Sequence, residues 1–390
     1  MQSARVAPFG PSVFSEMSRL ALQHGAVNLG QGFPDFDGPQ EIARAAMEAI
    51  AGGVNQYAVS AGHPALRQAI AAHSQRFYGA ELDPQTEVGV TSGATEAIFA
   101  AVQAFTDPGD EVILFEPFYD SYLASVQLAQ AVPRFVQLRA PDAAHAQWWF
   151  DDAELEATFS PRTRLVIVNT PHNPTGKRFT RAELERIGEL TRRAGAVLLS
   201  DEVYEHLVFD GAKHLRPATL PGFRDFTLTL SSGGKTFSFT GWKIGWHLGR
   251  PELVGAVQKA HQWITFCSPP AFQVAIAKGL ELPDAFFEGF VAEYTQKRNF
   301  LAAALQKAGF EVLPCEGTYF LMANTDRHRQ QGETDVDFCR RLVTQHGVAA
   351  IPTSVFYSDA HAPAAYGHAR FAFCKTDRVL SAAAERLARL

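Results

Sequence analysis

The sequence predicts an α/β fold: a large unit with a mostly parallel sheet flanked by helices, then a smaller α+β unit. Two patterns predict it. Short β-branched runs alternate with longer amphipathic runs as far as about residue 282, the signature of strands joined by crossover helices. Chemistry-bearing residues also recur just after the apolar runs end, where open α/β sheets take their ligands.

Along the chain, EVGVT (87–91) reads as a strand, and SGA leads into the helical TEAIFAAVQAF. DPGDEVILF (107–115) is a turn and a strand, with EPFYDSYLASVQLA as a loop entering a helix. RLVIVNT (164–170) must stop at Pro171, and PHNPTG is a loop by its Pro and Gly content. AELERIGELTRRAG is a helix with a Gly stop, AVLLSDEVY returns to strand, and FTLTLSSGGK is a strand running into a glycine loop and a strand-like aromatic run. Beyond about Leu282 come a long helical stretch, the strand-like FEVLPCEGTYFLMAN, HGVAAIPTSVFY and HARFAFCK, and a closing helix.

Composition narrows the function. With 46% hydrophobic residues among 390, the chain can bury a large core. A formal net charge of −6 without long basic runs argues against nucleic acid or an anionic membrane as partner. Cys267, Cys315, Cys339 and Cys374 contain no CxxC pair and read as buried free thiols, so neither a disulfide framework nor a metal site is expected. No signal-peptide pattern and no membrane-length apolar run is found, so a cytoplasmic protein is expected.

The segment SSGGKTFSFTGWKIGW (231–246) poses the main question, because GGKT imitates the end of a nucleotide-binding loop. That loop needs a glycine five residues before Gly234, and position 229 is threonine. A covalent reading of Lys235 makes other demands: a mobile amine able to lose its proton, helped by a nearby cation such as Lys243. Ser232, Lys243 and the backbone N–H groups of the turn Ser92–Thr95 suit a cofactor's phosphate. SGAT alone is equally an ordinary turn. Asp201, at the end of an apolar strand, needs a cationic or donor partner, which a protonated ring nitrogen or a structural salt bridge would supply equally well. Tyr204 can donate to a phenolate-like oxygen or simply pack; Asn173 lies in a proline-bracketed turn. Arg370, in HARFAFCK, suits forked pairing with a carboxylate, or is a strand-edge arginine.

Taken in order, SGAT, FYDSY, NPTG, SDEVY, SSGGKT and GWKIG make the chain resemble the fold type I pyridoxal-phosphate enzymes of the class I aminotransferase family. NLGQGFPDFDGP (28–39) and EGTYF point to the branch with methionine aminotransferases, glutamine transaminase K and kynurenine aminotransferases. The resemblance implies a large cofactor-binding domain over 39–282 and a small domain from 1–38 and 283–390. It implies pyridoxal 5'-phosphate held covalently by Lys235, with Asp201 on the ring nitrogen, Asn173 and Tyr204 on the phenolic oxygen, and Phe118 stacked on the ring. Phosphate contacts fall to Ala94, Thr95, Ser232 and Lys243, where many relatives have arginine. Tyr57 reaches across from a second subunit of a homodimer. Arg370, assisted around Gly32, takes the substrate α-carboxylate.

Phe14, Tyr57, Phe118, Phe266 and Phe356 fall in segments that line the side-chain pocket of that branch. An aromatic pocket implies methionine, aromatic amino acids, kynurenine or glutamine as donors, a 2-oxo acid as acceptor, and ping-pong kinetics. A β-lyase acting on cysteine S-conjugates or cystathionine shares the same motifs. A non-catalytic protein that kept the fold has no need of Lys235, Asp201, Asn173, Tyr204 and Arg370 together.

Overall fold

The strands Val88–Thr91, Gly245–Leu248, Thr227–Ser232, Val197–Asp201, Thr163–Asn169, Glu111–Glu116 and Val132–Gln137 lie side by side, in that order, as one sheet. The computed structural model describes residues 2–390 apart from Ala4, Pro8 and Pro11. Every neighbouring pair from Thr227–Ser232 to Val132–Gln137 is parallel. Gly245–Leu248 runs antiparallel to both its neighbours.

Period-two alternation divides the strand residues between two cores. Val112, Leu114, Leu165, Ile167 and Leu199 face the helices Gly93–Phe105, Asp120–Leu128 and Pro251–Ile264. Ile113, Phe115, Val166, Val168 and Leu198 face the helix Arg181–Arg193 on the other side. A sheet covered on both faces needs apolar residues at successive positions, which is why the central strands read as near-continuous apolar runs.

Gly245–Leu248 and Val132–Gln137 are strands of this sheet that the sequence reading missed; the first is the more telling. Four buried residues are too few to show a period. Its first glycine is there for space: a Cβ on Gly245 would lie 2.4 Å from the Gly93 carbonyl carbon. The strand therefore runs directly under the N-terminus of the helix Gly93–Phe105.

The aromatic run after Lys235 is also not a strand. Gly233–Thr236 is a single helical turn and Thr240–Trp242 a 3₁₀ turn. Trp242 is sandwiched between Phe239 and Phe272, with ring centroids 4.0 and 4.7 Å away. Lys243 ends the turn in the left-handed region at φ 56°.

A second sheet is antiparallel, in the order Ile351–Pro352, His368–Ala372, Phe320–Asn324, Glu311–Val312. The N-terminal strand Val27–Asn28 pairs in parallel with Val348–Ala349, and the helix Val13–Gln23 packs on the helix Asp335–His346. A core around Phe320, Phe338, Phe371 and Phe373 unites these parts and takes in Tyr204, Leu207 and Phe209. The chain just after Asp201 thus passes from the large sheet into the second core. Among the described residues, no helix is long and apolar enough to cross a membrane.

Candidate active site

A cavity of about 420 Å³ opens where the two sheets meet, above the carboxyl ends of the parallel strands. It brings together Gly32, Ala94, Thr95, Asn173, Asp201, Tyr204, Ser232, Lys235, Lys243 and Arg370, all expected from the sequence, with Phe14 at its edge. They come from segments more than 300 residues apart because each strand or turn ends at this crevice.

Asp201 closes the strand Val197–Asp201 and is 3% exposed. It accepts a hydrogen bond from Tyr122 Oη at 2.6 Å. Burial pushes its carboxyl up to about 6, against the pull of Tyr122, the Val203 N–H and the charge of Lys235. It has no salt-bridge partner within 4 Å among the described residues, so a cation placed beside it would be strongly held.

Lys235 sits on the one-turn helix; its Nζ donates to Tyr319 Oη at 3.0 Å and to the Gly32 carbonyl at 3.3 Å. Burial, reinforced by the nearby charges of Arg370 and Lys243, draws its ammonium down to about 8. Near neutral pH a useful fraction of the amine is therefore free of its proton.

Arg370 lies on the strand His368–Ala372, 2% exposed. Nη1 donates to Asn173 Oδ1 at 2.8 Å and Nη2 to the Gly30 carbonyl at 3.2 Å. The rings of Phe320, Phe356 and Phe14 surround the guanidinium, with centroids 4.0, 4.8 and 5.4 Å from its carbon. Nε is buried with no partner, and burial lowers the group to about 10. A guanidinium fixed on three sides with an unsatisfied N–H is prepared for a carboxylate.

At the other end, Gly93 opens the helix Gly93–Phe105 at φ +77°, and a Cβ there would lie 3.2 Å from Lys243 Nζ. Glycine, the helix N-terminus, Ser232 and the lysine ammonium form a cradle suited to phosphate. The residues present thus fit pyridoxal phosphate at both ends: an anion cradle and, across the cavity, a buried carboxylate for a ring cation.

Two expectations need correction. Phe118 is buried in the helix-side core, stacked on Phe135 at 5.9 Å; Tyr119 faces the cavity instead. Phe356 is fully buried behind Arg370 and Phe14 and does not line the cavity. Tyr57, expected to reach a second subunit, and Phe266 both lie outside their own chain's cavity, 84% and 44% exposed, with edge-to-face rings 5.3 Å apart. The sequence reading missed Tyr119, Asp120, Tyr122, Asn169 and Tyr319. FYDSY carried a signal for Tyr119 and Tyr122, since helical spacing turns them to one side.

Residues 25–387 match the family Aminotransferase class I and II. The chain is 39% identical to a kynurenine–oxoglutarate transaminase of Dictyostelium discoideum, over 100% of this chain and 96% of that protein. It is 40% identical to a methionine aminotransferase of Escherichia coli, over 99% and 98%. The solved structure of N-succinyldiaminopimelate aminotransferase from Mycobacterium tuberculosis superposes with a TM-score of 0.94 at 45% identity, covering 100% of both chains.

Proposed function

The chain belongs to the class I and II aminotransferase family, a family of pyridoxal-phosphate enzymes, and on that premise we propose that it moves the amino group of methionine, an aromatic amino acid, kynurenine or glutamine to a 2-oxo acid. The observation that carries this reading is the distribution of cations in the cavity. Among the described residues it is lined by Lys235, Lys243 and Arg370 and by no further lysine or arginine. Two of them serve the cofactor and one the α-carboxylate, so the substrate side chain meets Phe14, Phe33, Tyr119 and Phe320 instead.

Bound pyridoxal phosphate supplies a ring that takes up the electron pair released when a bond at the substrate Cα breaks. Asp201, backed by the Tyr122 hydroxyl, keeps the ring nitrogen protonated. Asn173 and Tyr204 serve the phenolic oxygen, Ala94, Thr95, Ser232 and Lys243 the phosphate, and Tyr119 covers the ring. Arg370 and Asn173 hold the substrate α-carboxylate, which fixes the orientation of the Cα–H bond. Lys235 would hold the cofactor covalently, and its Nζ as a free amine would take the Cα proton. The exposed pair Tyr57 and Phe266 completes the site of a second copy in a homodimer.

The purified protein is expected to show a visible band of bound cofactor, absent in Lys235→Ala, with turnover reduced about 10⁴-fold. A colourless protein that ignores added pyridoxal phosphate overturns the reading. A panel of amino donors, scored separately for transamination and for pyruvate release from cysteine S-conjugates, distinguishes the aminotransferase from a β-lyase.

A further inference from the structure

Asp120 has no place in the chemistry above, yet it lines the cavity beside Tyr119. It is the first residue of the helix Asp120–Leu128, and no side chain among the described residues bonds its carboxylate. No lysine, arginine or histidine among the described residues comes within ion-pair distance of it, although every other acid that reaches this cavity is engaged by a side chain: Asp201 by Tyr122. The Phe118 N–H, two residues before it, donates to the Phe356 carbonyl at 2.7 Å, and the Phe356 ring lies 4.8 Å from the Arg370 guanidinium carbon; Arg370 is also the cation whose charge Asp120 feels. This ties the Asp120 segment to the Arg370 side of the cavity, where the substrate carboxylate is held. Leaving such a group largely desolvated and without a side-chain partner is costly.

We propose that Asp120 is a specificity-determining residue: its carboxylate repels substrates whose side chain ends in a carboxylate and accepts a hydrogen bond from side chains that end in an amide or amine N–H. The inference rests on the aminotransferase reading of the cavity. It extends that reading to both half-reactions, because donor and acceptor use one site in turn. With Lys235, Lys243 and Arg370 already engaged, a second substrate carboxylate finds a like charge and no cation. Glutamine, or a donor with an aromatic amine, offers Asp120 the proton it lacks. The acceptor this site favours is accordingly a 2-oxo acid with an uncharged side chain rather than 2-oxoglutarate.

The test compares the wild-type holoenzyme with Asp120→Asn and Asp120→Ala, each carrying its full visible cofactor band. Half-reaction kcat/KM is measured for methionine, glutamine and glutamate, and for 2-oxoglutarate against the 2-oxo acid of methionine. Ratios to methionine are the readout, since a structural fault scales all substrates together. In Asp120→Asn the glutamate-to-methionine and 2-oxoglutarate-to-oxo-acid ratios are expected to rise at least tenfold. In Asp120→Ala the glutamine-to-methionine ratio is expected to fall about tenfold. Ratios that stay within twofold of wild type in both variants, or a wild-type preference for glutamate over methionine, overturn the proposal. Failure of the underlying reading is separate: wild-type protein would then turn over no donor at all.

Discussion

Two buried polar clusters flank the end of the strand Val197–Asp201, and they are finished to different degrees. On the far side of the sheet end, Glu202 accepts from Ser200, Thr229, His214 and Arg216. Glu205 accepts from Ser231 at 2.6 Å and from Arg216 Nη2 at 2.6 Å. Arg216 also donates to Ser74 and lies 3.7 Å from the Tyr78 ring centroid. Every oxygen of both carboxylates has a partner. Despite the burial, the charge of Arg216 holds Glu205 well below the usual carboxylate range. One residue away, Asp201 accepts from the Tyr122 phenol and the Val203 N–H but has no cation beside it, and its carboxyl is raised to about 6; among the described residues Arg370 keeps an unpartnered Nε. A saturated charged network is architecture. The unsaturated one is a site, because its missing partners are what the substrate and cofactor bring.

Removing a charge from each cluster sharpens this contrast. Asp201→Asn is expected to lower kcat/KM about 10³-fold while leaving the urea midpoint of the cofactor-free protein unchanged or higher, since it deletes an unpaired buried charge. A large loss of stability with activity preserved breaks the comparison. Arg216→Ala is the mirror case: it strands two buried carboxylates and costs about 3–5 kcal/mol in urea unfolding, while kcat per mole of bound cofactor stays within a few-fold. If Arg216→Ala instead abolishes turnover in the folded fraction, the second cluster is no mere scaffold.

The smallest effect is on pH. The folded Asp201 carboxyl titrates near 6 and the unfolded one near 3.8. Between those values the folded state keeps a proton that the unfolded state has released. This group's contribution to stability therefore falls as pH rises from about 4 to 6, by on the order of 1 kcal/mol per unit in the cofactor-free protein. Urea midpoints at pH 5 and 6.5 should differ more in the wild type than in Asp201→Asn. Equal slopes in the two would mean that Asp201 is not the buried, poorly partnered acid described here.

Much of the site was legible because its residues follow recognisable strand ends. Ser92, Asn173, Asp201 and Ser232 each stand where an apolar run stops, and the fold carries all such ends to one crevice. The misreadings have a common cause. Phe118 and Tyr119 are adjacent aromatics of similar chemistry, and only packing against Phe135 decides which one turns inward. Phe356 lies in a segment that lines the pocket in the resembled branch, but it packs behind Arg370, where it braces the guanidinium. Gly245–Leu248 is a strand by virtue of its neighbours on either side, not of any pattern in its own four residues.

The sequence by itself determined the periodicities, the strand ends and the chemical identity of the groups gathered there, because these depend on local spacing and side-chain type. Only the tertiary structure decided which of those groups would find partners. Tyr122 reaches Asp201 across 79 residues, Arg370 reaches Asn173 across 197, and Asp120 is bonded by no side chain among the described residues. Burial and the supply of partners set the proton affinities of Asp201, Lys235 and Arg370. Both are properties of the packed chain and of no segment of it alone.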